Sequence, residues 1–254
     1  MSNFDKHNLK HTSASQINMF SHCAGAWCAR YLYGRKFTFG NAARAGVLAE
    51  DAVTLILTDA LPMDEAIKKA QDSYRAVTVL TGTPSDIKRG EGIEGMIRNA
   101  VEVLTPYGKP DFTDVSDLNG QNEISLMCNG DGWSLPIKGF LDYLYPQHKK
   151  SVDLKTTMKM PSQMSVEHKR QGAIYKKATG IDVEFLYVTP KKSQVFTITD
   201  EDMDFHLIEI KNILNRQEKL LGLDAEFIKD IVPCNLNSFY WSQDKHVANE
   251  LYGI

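Results

Sequence analysis

Two acids and a lysine in the stretch PIKGFLDYLYPQHKKSVDLKTT, residues 136–157, are the residues of this chain best suited to chemistry. The pattern predicts two neighbouring strands, with Asp142 on the first, Asp153 on the second and Lys155 two positions later. Because side chains alternate along a strand, Asp153 and Lys155 point to one face and Leu154 to the other. Charges among apolar neighbours need a partner or a metal. A hard cation held by Asp oxygens beside a lysine can hydrolyse phosphodiesters.

Three other places carry residues able to join these acids. Glu50 lies one turn after Gly46 in an otherwise apolar helix, and a glycine there lets another backbone approach. Gln171 and Tyr175 are four positions apart and share a helix face. Glu123 begins a predicted strand. Each has a plain alternative, namely an exposed helix glutamate, an ordinary core aromatic for Tyr175, and a solvent-facing strand residue for Glu123.

The elements that must position these residues divide the chain into two parts. Ser13 and Gln16 have the spacing of a capping box, and apolar periodicity predicts an all-helical first part. A linker rich in turn formers follows at 105–121. The predicted helices cover 14–22, 42–58, 64–79 and 85–104.

The second part alternates strands with helices. A hairpin turn is predicted at 129–132, and the glycines Gly180 and Gly222 are predicted to end the two helices. The resulting class is α/β with a mixed sheet, and we expect one domain, 1–254, with a mainly helical portion, 1–105, and a sheet portion, 122–254. The predicted strands cover 122–128, 133–145, 151–157, 183–189 and 194–198, and the predicted helices 162–179 and 200–221.

The chain has 254 residues and 43% hydrophobic content, which suffices for a sizeable core. No apolar run approaches the roughly 20 residues that span a membrane. The first residues lack the apolar segment of a secretory signal, so we expect a cytoplasmic location. Four scattered cysteines are too few for a disulfide framework, and we expect free thiols.

The net charge of −3 does not attract polyanions to the protein as a whole, but basic residues concentrate between Lys149 and Lys192. This segment holds ten Lys or Arg against four acids, a net charge of +6, which leaves −9 for the rest. A basic zone around an acidic pocket favours a nucleic-acid enzyme over a histone-like binder. A solvated charged face remains the alternative for any single lysine.

The candidate residues form four short motifs along the chain, Gly-x-x-x-Glu, Gly-x-x-Asp, Asp-x-Lys-Thr-Thr and Gln-x-x-x-Tyr. In this order they resemble the PD-(D/E)XK nuclease superfamily, most closely its RecB-like and phage-type exonuclease branch. The serine-rich helix start followed by Cys and aromatics, in SASQINMFSHCAGAWCARYLY, resembles that branch as well, so the resemblance covers nearly the whole chain. It implies a restriction-endonuclease-like core, a mixed central sheet flanked by helices, with the helical N-terminal half added. The motifs are Gly46 with Glu50, Gly139 with Asp142, 153–157, and Gln171 with Tyr175.

The resemblance also implies roles for these residues. Asp142, Asp153 and the Leu154 carbonyl would ligate magnesium or manganese, and Glu50 would hold a metal directly or through water, at a position where many relatives have His. Lys155 would orient the attacking water and stabilise charge on the phosphate. The two helix residues complete the set: Gln171 would position Lys155 or the water, and Tyr175 would touch the DNA backbone.

Some members of that family carry an iron–sulfur cluster held by one early and three C-terminal cysteines. Here Cys23 matches the early position, but the segment IVPCNLNSFYW offers only Cys234. A cluster needs about four thiolates, so we predict none. For Tyr240 and Trp241 in the same segment we expect core packing, with base stacking as the alternative.

The function expected from the resemblance is a metal-dependent DNA exonuclease of phage or bacterial recombination, repair or degradation. An endonuclease or junction resolvase on the same fold is one alternative, and a non-catalytic nucleic-acid-binding subunit is another. DNA is the expected partner, no membrane is expected, and a homo-oligomer or a recombination partner protein is compatible with the family.

Overall fold

The computed structural model describes residues 2–80, 82–112, 122–126 and 135–254. In the first part, local signals determine where the helices begin. Ser13 caps the first long helix, and Thr83 and Asp86 form a capping box ahead of Pro84. All four predicted helices are present within one or two residues of their expected ends. The helices are α1 (Asn3–Lys6), α2 (Ala14–His22), α3 (Ala24–Trp27), a π-helical turn (Cys28–Leu32), α4 (Asn41–Leu57), α5 (Met63–Thr78) and α6 (Pro84–Leu104).

The strands form a four-stranded mixed sheet and an antiparallel pair. The pair is β1 (Asn122–Leu126) with β2 (Ile137–Leu141). The sheet contains, in spatial order, β3 (Tyr143–Tyr145), β4 (Lys150–Thr156), β5 (Asp182–Val188) and β6 (Ser193–Thr197). The neighbours β4 and β5 run parallel and the other pairs antiparallel, which confirms the predicted α/β class with a mixed sheet.

One strand prediction is wrong in a way that matters for the site. The range 133–145 was expected to be a single strand, but the chain leaves β2 after Leu141, bends at Asp142 and starts β3 at Tyr143. The two halves therefore join different sheets. The predicted hairpin turn at 129–132 lies outside the described residues.

Helices after the sheet strands complete the fold. The parallel crossover between β4 and β5 is α7 (Val166–Thr179), which ends at Gly180 with φ +68°, as predicted. The next helix, α8 (Asp200–Leu221), has its predicted bounds. Gly222 follows it with φ −72°, so the expected left-handed stop is not used. Two further helices, α9 (Ala225–Ile231) and α10 (Lys245–Tyr252), were not predicted. None of the described helices combines the length and apolarity needed to cross a bilayer.

The sheet lies between two apolar clusters, and the polar face of β4, with Ser151, Asp153 and Lys155, interrupts the apolar surface on one side. Val152 and Leu154 of β4 pack with residues of α4, α5 and α6. On the opposite side Phe185 and Tyr187 of β5 pack with residues of α2, α7 and α8. Strand alternation then directs Asp153 and Lys155 toward α2 and α7, away from α4, α5 and α6.

Candidate active site

The bend at Asp142 opens one edge of β4 next to the acids. Strand β3 pairs with β4 only as far as Val152, and no other strand of the described residues pairs with β4 beyond it on that side. The Leu154 amide donates a hydrogen bond of 2.8 Å to Oδ2 of Asp142 instead. Within a strand, the N–H and C=O of one residue project to the same edge, so the Leu154 carbonyl opens toward this side as well.

Asp153 is buried, with only 2% of its surface exposed, and is held by two partners. Its Oδ1 forms an ion pair with the Lys155 ammonium, and its Oδ2 accepts a 2.7 Å hydrogen bond from the Gln171 amide. The same Gln171 nitrogen donates to the Tyr175 hydroxyl at 2.9 Å. The structure thus brings Asp153 and Lys155 of β4 together with Gln171 and Tyr175 on one face of α7.

Glu50 reaches the site from α4. The Tyr143 hydroxyl donates a 3.1 Å hydrogen bond to the Glu50 backbone carbonyl, which ties α4 to β3. Close approach also needs a glycine one turn earlier, since a Cβ on Gly46 would lie 3.1 Å from Oγ1 of Thr156. The Glu50 charge is one of the causes that raise the pKa of Asp142, which is the direction expected for two carboxylates that repel each other.

Burial and mutual repulsion govern the charge state of the acids. Burial raises the pKa of Asp142 well above its usual value, and the charges of Asp153 and Glu50 raise it further. Burial also raises the pKa of Asp153, although the Lys155 ammonium opposes this. For Lys155, burial alone would lower the pKa, but Asp153 and Asp142 outweigh it and raise the pKa, so the ammonium stays charged at neutral pH.

The oxygen donors of the site fit a hard divalent cation that is held partly by the protein and partly by the phosphate of the substrate. Within the described ranges, no three His, Cys, Asp or Glu side chains form a ready-made metal cage. Magnesium, however, is usually bound through one or two carboxylates together with waters and substrate phosphates. The buried Asp153 and the partly buried Asp142 supply oxygen donors whose repulsion a cation would relieve, and the Leu154 carbonyl lies at the same edge.

A glycine fixes the position of Tyr175. A Cβ on Gly139 of β2 would lie only 2.5 Å from Cε1 of Tyr175, so the ring occupies the space that a side chain would fill. Tyr175 is 5% exposed, and its hydroxyl faces the Gln171 amide. The glycine that precedes Asp142 by three positions therefore has a packing role at the site.

His168 lies beside the site but is not among the predicted site residues. Its Nδ1 contacts the Tyr187 hydroxyl, and its ring stacks on Phe185 with an interplanar angle of 13°. Burial and the nearby Lys155 charge lower the pKa of His168 to about 4, so the imidazole is neutral at pH 7. Its position one turn before Gln171 on α7 was the available signal.

The site opens into a cleft of about 1230 Å³. Asp142, Lys155 and Gln171 line it on one side, and the start of α2 and the segments 37–40 and 239–244 form the rest of its wall. Glu123 belongs to β1, where its backbone is paired with Phe140, and its side chain lies outside the described part of the structure.

The basic surplus predicted around the pocket does not line it. Of the ten cations between Lys149 and Lys192, only Lys155 lines the cleft. The expectation of a basic zone is therefore wrong for the wall of the cleft, and three acids outside the segment, Asp200, Asp202 and Glu209, also neutralise part of the surplus. Pairs form between Lys150 and Glu184, Lys169 and Asp202, Arg170 and Glu209, and between Lys176 and both Asp182 and Asp200.

Three cysteines are free thiols, as expected: Cys23 and Cys28 are buried and Cys234 is partly exposed. Burial raises the pKa of Cys28 to about 12 and that of Cys234 to about 11, so both are protonated at neutral pH. Ligands of an iron–sulfur cluster are thiolates. The expected absence of a cluster stays a prediction, and Cys128 lies outside the described residues.

Comparison with solved structures shows a shared fold. The crystal structure of a protein from Eubacterium rectale, provisionally named an exonuclease, aligns with a TM-score of 0.55 and 16% identity, over 85% of this chain and 83% of that one. The crystal structure of SSO0001 aligns with a TM-score of 0.36 and 17% identity, over 76% and 82%, which is too weak to bear on the fold. No family model matches the sequence, and no curated protein matches it at a significant level.

Proposed function

We propose that this protein is a metal-dependent deoxyribonuclease of the PD-(D/E)XK type that removes nucleotides from DNA ends. The observation that carries the proposal is the buried cluster in which Asp153 is held between Lys155 and Gln171 while Asp142 shares the same sheet edge. A fold shared with a protein provisionally named an exonuclease supports it. A role in phage or bacterial recombination, repair or degradation is part of the same proposal.

Asp142, Asp153 and the Leu154 carbonyl would hold magnesium or manganese, with Glu50 as a direct or water-mediated ligand. A cation bound here supplies Lewis acidity and lowers the pKa of a bound water toward neutrality. The side chains supply the rest. The open edge of β4 leaves room for a phosphate beside the acids, and the buried carboxylates fix the donors before substrate arrives.

Lys155 acts by its charge in this account. Its raised pKa keeps it protonated, so it cannot serve as the general base at neutral pH. A fixed ammonium stabilises the negative charge that grows on the phosphate oxygens during attack. Gln171 holds Asp153 from the other side, which leaves the Lys155 ammonium oriented toward the cleft. Tyr175 lines the same wall and would contact the DNA backbone.

End-labelled linear DNA, with magnesium or with EDTA, tests the proposal. Wild-type protein should release labelled nucleotides only when magnesium or manganese is present, and Asp153→Ala should release none. Asp182→Ala is a matched control, because Asp182 lies in the same sheet with its side chain 76% exposed. The proposal fails if the wild type leaves both single-stranded and duplex DNA intact with either metal.

A closed circular substrate separates the exonuclease from an endonuclease or junction resolvase on the same fold. An exonuclease leaves the circle intact and degrades it only after linearisation. Metal-independent binding without any cleavage would instead indicate a non-catalytic nucleic-acid-binding subunit.

A further inference from the structure

Two exposed aromatic rings border the cleft, away from the acids. Phe39 is 51% exposed and Phe239 is 72% exposed, and both line the cleft that contains Asp142 and Lys155. Tyr240 stacks obliquely on Phe239, with ring centroids 4.0 Å apart. Exposed aromatic rings that line one cleft leave apolar surface in water, and a ligand that covered this surface would gain from its burial.

A rigid frame holds the two segments that carry these rings. Asp244 is 4% exposed and accepts hydrogen bonds from the Thr38 amide at 3.0 Å and the Thr38 hydroxyl at 2.7 Å. The Phe37 ring packs against the fully buried Trp241 at 5.3 Å. Segments 37–39 and 239–241 are therefore fastened together, and Phe39 and Phe239 are displayed from a fixed support.

Positive charge accompanies the rings. The Arg44 guanidinium lies 5.5 Å from the centroid of Phe39, and the Arg30 guanidinium lies 5.4 Å from that of Tyr31. Neither arginine has a carboxylate within ion-pair distance in the described part of the chain. Arg30 and Tyr31 both line the cleft. Aromatic faces interleaved with arginines are the combination that binds unpaired nucleotides, whose bases stack and whose phosphates need counter-charge.

We infer that Phe39, Phe239 and Tyr240 form a stacking platform for unpaired bases, and that the substrate enters this cleft as a single-stranded end or overhang. Bases inside a duplex stack on one another and hide both faces, so a row of exposed rings can stack on successive bases only where those bases are unpaired, whereas a blunt end offers a single terminal base pair. The inference rests on the proposed nuclease function and specifies the substrate of that site.

Fluorescence anisotropy in EDTA tests the platform without hydrolysis. The probes are a labelled single-stranded oligonucleotide, a blunt duplex of the same sequence, and a strand of the same length made of abasic deoxyribose phosphate. Wild type should bind the single strand more tightly than the duplex. Phe239→Ala and Phe39→Ala should each weaken binding of the single strand about 5- to 100-fold, the scale of one lost base stack.

The abasic strand and a control variant make the result specific. Binding of the abasic strand should not differ between wild type and the two variants, because it offers no base to stack. Phe205→Ala should bind like wild type, since Phe205 is 60% exposed on α8 and does not line the cleft. Equal binding of single strand and blunt duplex, or no loss in Phe239→Ala and Phe39→Ala, would overturn the inference and leave the rings to a protein partner.

Failure of the platform and failure of the nuclease remain distinguishable. A protein that cleaves end-labelled DNA but binds the three probes without preference keeps the nuclease function and loses the platform. A protein that binds single strands through Phe239 but never cleaves with magnesium keeps the platform and loses the nuclease function.

Discussion

The Leu154 backbone amide donates to the Asp142 carboxylate at 2.8 Å, in the place where a strand partner would otherwise bond. The Asp142 carboxylate thus takes the place that a strand would occupy beside β4, next to Leu154. This hydrogen bond fixes Asp142 next to Asp153 at the cost of placing two carboxylates close together. The charge state of that pair determines what the site can bind, and the predictions below follow from it.

Asp142→Asn should stabilise the metal-free protein at neutral and alkaline pH. The folded-state pKa of Asp142 is raised, so the stabilising contribution of its protonated form is lost as pH rises through that pKa, and the ionised carboxylate then carries a burial cost. Asn removes the charge and keeps an oxygen for the Leu154 amide. We expect the free energy of unfolding in EDTA to rise by about 1–3 kcal/mol at pH 8.

Urea unfolding at pH 8 and near pH 3 checks this prediction. At the lower pH Asp142 is protonated in both folded and unfolded states, so the difference between Asp142→Asn and wild type should shrink. A variant that is less stable than wild type at pH 8 in EDTA would show that the Asp142 carboxylate is not electrostatically strained.

Lys155→Met should abolish catalysis without abolishing metal binding. Loss of a fixed charge aimed at the developing oxyanion reduces turnover by about 100- to 1000-fold in comparable sites. Metal affinity should hold, because removing the ammonium leaves the carboxylates free for the cation. Turnover on labelled DNA and manganese affinity are the two measurements. Lys159→Met is the control, since Lys159 is exposed in the next loop. Equal losses in both properties would make Lys155 a structural residue.

Gln171→Ala should lower turnover by about 10- to 100-fold, the scale for residues that orient metal ligands. Its amide holds Asp153 at 2.7 Å and Tyr175 at 2.9 Å. Tyr175→Phe removes only the second contact and should cost about 2- to 10-fold. The part of the Tyr175 effect that acts through its hydrogen bond to Gln171 is already lost in Gln171→Ala, so any further loss in the double variant measures the proposed contact of Tyr175 with the DNA backbone. Additive losses would separate their roles.

Gly139→Ala should destabilise the protein by about 1–3 kcal/mol and reduce activity, because its methyl group would overlap the Tyr175 ring. Truncation of the Tyr175 ring to alanine frees the space for that methyl group. Thermal unfolding of the two single variants and of the double variant therefore forms a double-mutant cycle. Gly139→Ala should lower the stability of the Tyr175→Ala protein only slightly, and an equal loss of stability in both backgrounds would show that the methyl group clashes with another residue.

Local signals sufficed for much of the fold. Thr199 and an acidic first turn mark the start of α8, and the chain follows that prediction to Leu221. Gly180 ends α7 in the left-handed conformation that glycine favours. These features depend on residues within one or two turns of each other, which is the range that a sequence pattern describes.

The features that the sequence did not reveal depend on contacts between distant segments. The bend at Asp142 follows from β2 and β3 joining different sheets. A count of charges between Lys149 and Lys192 predicted a basic zone, but Lys169 and Lys176 pair with acids near the start of α8, outside that segment, and this lowers its surplus of positive charge. Trp241 packs in the core as expected, while its neighbour Tyr240 lines the cleft, a division that neighbours in sequence cannot show.

Manganese binding by isothermal titration at pH 8 tests the central claim, that the Asp142 and Asp153 carboxylates hold a catalytic divalent cation. Wild type should bind manganese at this site, Asp142→Asn and Asp153→Asn should lose that binding, and Asp182→Asn should retain it. Release of nucleotides from labelled DNA should follow the same order across the four proteins. Manganese binding and cleavage that are unchanged in Asp142→Asn and Asp153→Asn would contradict the account.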